Sequence, residues 1–326
     1  MVKKHASLLL AALFAIGCAP ELDDRSFLVQ APRIRAIQAD PPEAAPGTEV
    51  AHRLLWAGPD GAEPPELRWA YCSLRKPLAE LGPVHPGCLR DEPDALEPLG
   101  TGFSVVGAIP RQACRRFGPD LPEPVAGAPA GRPVDPDATG GYYQPVVVHA
   151  WNGDGASWPL GLSRLRCGIA GATPSQLAEM ARRYVSNQNP AFEELEMRRG
   201  DAWEPLHPHD PPSNANAVKV GETVVIRASW VRCEEAPCRG AEPYVVFDPQ
   251  SRSIQERRET LRVSWFSTDG FFDHDRTGAA ADAGDWAENT WTAPDTPGVS
   301  RIWLVLRDER GGVGWEEVLI RVLPRG

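Results

Sequence analysis

The side chains of this 326-residue chain best suited to chemistry are carboxylates, imidazoles, cysteines and indoles. Asp269, Asp273, Asp275, Asp282 and Asp285 crowd one stretch, and Asp273-His-Asp275-Arg-Thr277-Gly278 follows the opening of a calcium loop, which needs oxygen ligands at alternate positions. Asp273, Asp275 and Asp282 are the candidate ligands. Gly284 stands where such a loop closes with a bidentate Glu, so a solvated acidic loop is the competing reading. His207-Pro-His209-Asp210 offers two imidazoles and a carboxylate, but beside Pro211 and Pro212 it reads as a linker turn. Cys233 and Cys238 have no second thiol or imidazole pair at zinc spacing. The sequence contains no Gly-x-Ser-x-Gly elbow, no His-Glu-x-x-His and no phosphate-cradling glycine loop, which removes the main support for a hydrolase, a protease or a kinase. No catalytic residue is assigned and no cofactor beyond calcium is suggested.

Eleven tryptophans raise a different possibility, because exposed indoles stack on sugar rings or anchor a partner protein. Trp56, Trp69, Trp230, Trp265 and Trp303 lie inside strand patterns and are expected in cores. Trp151, Trp158 and Trp286 lie near loops, and Trp158 and Trp286 are taken as candidate ligand-stacking residues. A net charge of -10 with no face of clustered Lys and Arg excludes nucleic acid as a partner.

The elements that must position these residues are mostly strands. With 34 Pro and 30 Gly, the chain favours many turns over long helices, and its length suits two domains. Arg33 to Ala39 alternates polar and apolar residues; Val50 to Trp56 and Leu67 to Ser73 read as the next strands. Between Gly82 and Pro145 strands are sparse, Gly102 to Ile109 being the best candidate, and Gly118 to Pro136 reads as a long surface loop. Tyr142 to Trp151 and Leu160 to Ile169 complete a first domain. Thr173, Pro174 and Gln176 form a capping box ahead of Leu177, Met180, Ala181 and Tyr184, which predicts one short helix to about Ser186, on a sheet edge or between domains.

The amino end carries Lys3 and Lys4 and then an apolar run from Ala6 to Gly17 that is too short for a permanent membrane span. Its ending, Ala15-Ile16-Gly17-Cys18, resembles the lipobox of bacterial lipoproteins, in which the cysteine is acylated and becomes the new amino terminus. The resemblance implies a signal peptide over 1–17, lipid attachment at Cys18 and membrane association through acyl chains. Since Ala19 is not the Asp of inner-membrane retention, it also implies an outer-membrane address in the cell envelope. Gly17 and Ala19 also satisfy a small-x-small rule, so a cut after Ala19 that releases a soluble protein is the alternative. Without Cys18, the remaining Cys72, Cys88, Cys114, Cys167, Cys233 and Cys238 form an even set suited to an oxidising compartment. Neighbours in sequence suggest pairs 72 with 88, 114 with 167, and 233 with 238.

Two copies of one pattern are visible. Gly47-Thr-Glu-Val50 through Arg53 to Trp56 has the offsets of Gly221-Glu-Thr-Val224 through Arg227 to Trp230, and Leu67-Arg68-Trp69 is echoed by Leu261-Arg262 and Trp265. At the carboxyl end, Asn289 to Gly298, followed by Ile302 to Gly312, resembles the closing hairpin of bacterial immunoglobulin-like and polycystic-kidney-disease-like domains, and Val263 to Gly270 resembles their central strand. The expectation is an all-β protein of two immunoglobulin-like β-sandwich domains with one short helix between them. Residues 18–32 would be a flexible tether, 33–186 the first domain with a long Pro-rich insertion and carboxyl-terminal helix, and 187–326 the second. Such a layout implies a structural or adhesive interaction module of the envelope that binds an unknown envelope protein or glycan. A carbohydrate-binding module is the main rival, and an enzyme of unrecognised type comes third.

Overall fold

The computed structural model describes residues 26–76, 82–90, 92–124, 126–127, 130–151, 155–208, 216–279 and 284–325. Period-two alternation dictates most of it. In Thr223–Trp230, Val224, Ile226, Ala228 and Trp230 are buried while Thr223, Val225, Arg227 and Ser229 face outward, the pattern of a sheet covered on one side.

The first sandwich has two sheets. One is Arg33–Asp40, Glu49–Ala57 and Ser104–Ala108 in that order, all antiparallel. The other runs Glu43–Ala44, Leu160–Leu165, Tyr143–Trp151, Glu66–Cys72 and Leu96–Thr101, with Ala156–Ser157 added alongside Tyr143–Trp151. Val50, Leu54, Leu67, Trp69, Tyr71, Val146 and Val148 fill the space between them. The second sandwich repeats the plan. Phe192–Arg199, Thr223–Trp230 and Trp286–Thr292 build one sheet, flanked by Ala202–Pro205 and Phe271–Phe272. Ala217–Lys219, Val313–Leu323, Gly298–Arg307, Leu261–Ser267 and Arg276–Ala279 build the other, over a core that includes Trp230, Trp265 and Trp291.

In both, the leading strand pairs antiparallel in one sheet and the chain then crosses to pair parallel with the last strand of the other. Glu43–Ala44 pairs with Arg164 and Leu165, and Ala217–Lys219 with Arg321–Leu323. This strand order, with two facing sheets, is that of an immunoglobulin-like sandwich. The repeated glycines have a backbone reason: Gly47 (φ 85°) and Gly221 (φ 68°) both turn the chain through the left-handed region just before equivalent strands. Gly298–Arg307 and Val313–Leu323 form the closing hairpin, in register from Gly298 opposite Val322 to Arg307 opposite Val313.

The helix spans Pro174–Arg183, with Thr173 and Gln176 exchanging the two bonds of the capping box. It packs on the hairpin Pro243–Asp248 with Ser253–Arg258, where Gln176 Nε2 donates to the Arg252 carbonyl and Arg183 pairs with Glu256. It is not the only helix among the described residues. Ala113–Phe117 forms a second, short one inside the stretch that reads as strand-poor, buried through Ala113, Cys114 and Phe117. Too few residues separate its Pro and Gly neighbours for a helical period to show.

The expected tether is corrected over its described part. Phe27 and Val29 are buried, Val29 N–H donates to the Ser267 carbonyl, and Ser267 N–H donates to that of Phe27. The Phe27 ring stands edge-on to Phe271 at 5.3 Å and Phe272 at 6.2 Å, so apolar burial and paired backbone hold this segment on the second sandwich before the chain enters the first.

The sandwiches also pack on each other. Ala36, Leu55 and Ala57 of the first meet Trp303, Val305 and Val313 of the second, with Val29 between them. Arg53 lies 4.5 Å above the Trp315 ring, and Arg307 donates to the Arg35 carbonyl. Trp303, an expected core residue, is buried in this interface. No helix among the described residues is long and apolar enough to cross a membrane.

Candidate functional site

The three disulfides join Cys72 to Cys88, Cys114 to Cys167 and Cys233 to Cys238. Cys18 and Asp282 lie outside the described residues, as do His209 and Asp210. Asp275 accepts a hydrogen bond from Ser26, its carbonyl accepts from Trp265 N–H, and Asp273 N–H donates to the Thr290 carbonyl. The described residues gather no set of three or more His, Cys, Asp or Glu able to hold a metal ion.

The outward face of the first sandwich carries a graded surface. Glu66 stands opposite Trp151, Arg68 opposite His149, and Ala70 opposite Val147, all pointing away from the core that Leu67, Trp69 and Val148 fill. At one end Val147 is buried in a small core with Val84, Ala95 and the Cys72–Cys88 disulfide. In the middle Trp158 packs on the rim of that small core and stacks on the His149 imidazole, with centroids 4.2 Å apart and planes 9° apart. At the other end Trp151 is open, 48% exposed, beside a depression of about 260 Å³ lined by Glu66, Arg68, His149 and Trp151. Arg68 donates through Nε and Nη2 to the same Glu66 oxygen, at 3.0 and 2.9 Å.

The second sandwich uses its aromatic residues differently. The Arg227 guanidinium lies 3.8 Å over the Trp203 ring and 5.0 Å over Trp286, while Nε and Nη2 donate to Glu288 at 2.9 and 2.7 Å and Glu196 lies 3.7 Å away. Arg198 adds a further cation over Trp203 at 5.7 Å. Trp286 is therefore exposed yet engaged by a cation, and Trp158 has one face on His149. Of the expected stacking residues, neither presents a bare plate. Among the described residues nothing stacks on Trp151, which the loop pattern also marked as exposable.

Two buried polar clusters complete the picture. In the first core His52 Nε2 and Tyr71 Oη lie 2.9 Å apart, and burial pushes the imidazole down to about 4 and the phenol up. Between the sandwiches, Arg310 is fully buried among Glu43 (3.4 Å), Glu242 (3.6 Å) and Glu259 (3.2 Å). Arg164 also pairs with Glu43 at 3.5 Å, Tyr184 donates to it, and Asp308 accepts from Arg310 N–H and Asn187. Four carboxyls face two guanidinium groups in a buried site, so burial and the neighbouring Asp308 raise Glu259 to about 9, and burial raises Asp308 and Glu242 as well. Sequence reasoning missed this cluster, whose members are scattered from residue 43 to residue 310 and carry no local motif.

Two immunoglobulin-like sandwiches, locked face to face and fastened by disulfides, define the class. No protein-family model matches the chain and no curated protein matches it. Among solved structures, the D0-D1 domain of intimin is similar at TM-score 0.23 and 10% identity, covering 89% of this chain and 99% of that one. The dimeric latent PorU of Porphyromonas gingivalis is similar at TM-score 0.22 and 11% identity, over 91% of this chain and 24% of that one. A chimeric titin Z1Z2 is similar at TM-score 0.18 and 11% identity, over 91% and 98%. Likenesses this slight carry no argument, and the fold assignment rests on the strand order described above.

Proposed function

We propose that this chain is a lipid-anchored protein of the bacterial outer membrane, acylated at Cys18, which acts as a structural or adhesive interaction module. The observation that carries the reading is the cysteine inventory: one thiol directly follows an apolar export-like run, and the other six are paired in three disulfides, as suits an oxidising compartment. The locked pair of sandwiches supports a presenting role, because a rigid scaffold holds outward faces in fixed relation. More than one acyl chain holds a protein on a bilayer stably, at about 0.8 kcal/mol per buried methylene.

Mass spectrometry of the mature amino terminus from cells, with membrane fractionation of wild type and Cys18→Ala, tests the anchor. The expected result is an acylated Cys18 and release of the variant from the membrane. A free amino terminus at Pro20 would make the protein soluble and secreted.

A further inference from the structure

We propose that the open end of the first sandwich's outer face, centred on Trp151, binds one pyranose ring of a glycan. This rests on the reading of the chain as an interaction module and names the ligand class for one of its faces. A pyranose presents an apolar C–H face and a rim of hydroxyls, so its receptor needs an uncovered aromatic plate bordered by donors and acceptors. Trp151 supplies the plate: among the described residues no guanidinium or ring covers it, in contrast to Trp158 and Trp286. Arg68 and Glu66 supply the border. Their fork uses one carboxylate oxygen and two guanidinium nitrogens, which leaves the second oxygen to accept from, and the third nitrogen to donate to, neighbouring hydroxyls.

Size and order point the same way. At about 260 Å³ the depression falls below the roughly 300 Å³ at which drug-sized pockets begin, which suits a single ring. All four lining residues stand on two paired strands, and His149 is fixed by its stack on Trp158, so little ordering cost remains at binding. A protein hot spot would need a wider dry surround than this polar border gives. The Glu66 carboxylate and the chain's net charge of -10 disfavour an acidic sugar, so the ligand is a neutral pyranose.

The test is saturation-transfer NMR on the mature, disulfide-bonded chain with neutral methyl glucoside, galactoside and N-acetylglucosaminide at millimolar concentration. Transfer to the C–H protons of one sugar face is expected, weakened about tenfold by Trp151→Ala. Trp286→Ala should leave it unchanged and Trp151→Phe should retain part of it. An unaltered far-ultraviolet circular dichroism spectrum and an unshifted melting temperature show that the exposed Trp151→Ala substitution leaves the fold intact. Absence of transfer from all three sugars, or equal transfer in Trp151→Ala, overturns the site, as does loss of an envelope protein partner in Trp151→Ala without any sugar signal. Anchoring is read separately by fractionation, so a sugar-negative protein that stays on the membrane rejects this site alone.

Discussion

Arg53 and Arg227 occupy the same place in two copies of one strand, yet Arg227 lies between two indoles of its own sandwich while Arg53 reaches over Trp315 of the other. The inward positions of the two copies do one job, filling a core, and their outward positions have diverged to ladder, interface or open surface. Fastening differs as well. The first sandwich is tied by Cys72–Cys88 and by Cys114–Cys167, 53 residues apart, whereas the second carries one bridge over 5 residues and a core with three fully buried tryptophans. A sandwich rich in buried indole area has less need of covalent closure.

The sharpest way to break this contrast is to remove the bridges. On the chain-entropy model, replacing Cys114 and Cys167 by Ala should cost about 4 kcal/mol, and replacing Cys233 and Cys238 about 2 kcal/mol, read as separate shifts in denaturant unfolding. Equal losses would sink the idea that the first sandwich leans on its staples.

Next in size, Arg310→Met strips the interface of the cation that Glu43, Glu242 and Glu259 share, and about 3 kcal/mol should be lost. Unfolding that splits into two transitions would show that the cluster couples the sandwiches. A stability equal to wild type would show that the carboxyls take up protons at no cost.

A further effect is graded by pH. Glu259 holds its proton more tightly folded than unfolded, so its contribution is complete below the ordinary 4.5 and is lost as pH rises through about 9. His52 runs the other way. Its depressed value means that stability present above 6.5 is lost as pH falls through about 4. Thermal melts from pH 4 to pH 9 should therefore show the first core failing at the acid end and the interface at the alkaline end. His52→Gln should remove the acid limb, and Glu259→Gln the alkaline one.

Local rules reached far into this fold. Alternation placed Val50 to Trp56 and Tyr142 to Trp151 as strands, the capping box set the helix at Thr173, and paired glycines announced the duplication, because each depends on neighbours within about ten residues. Leu96–Thr101 stayed hidden, since its Pro98 and Gly100 argue against a strand and only pairing with Glu66–Cys72 makes it one. The outward face was half legible. Exposure of an indole at a strand end could be read, but whether His149, Arg227 or nothing covers it depends on register between strands far apart in sequence. The Arg310 cluster gave no signal, because a buried charge looks like a surface charge until its partners are known.

The strap formed by Phe27 to Val29 bears on how the molecule would respond to mechanical tension. With Cys18 acylated as proposed, eight residue steps separate the anchor from Ser26, a reach of at most about 28 Å, and from the anchor the chain meets the second sandwich before it enters the first. A pull between membrane and bound partner reaches the two backbone bonds to Ser267 and the wedge of Phe27 before it reaches the first strand at Arg33. The strap would thus be the first part to yield, sparing both cores.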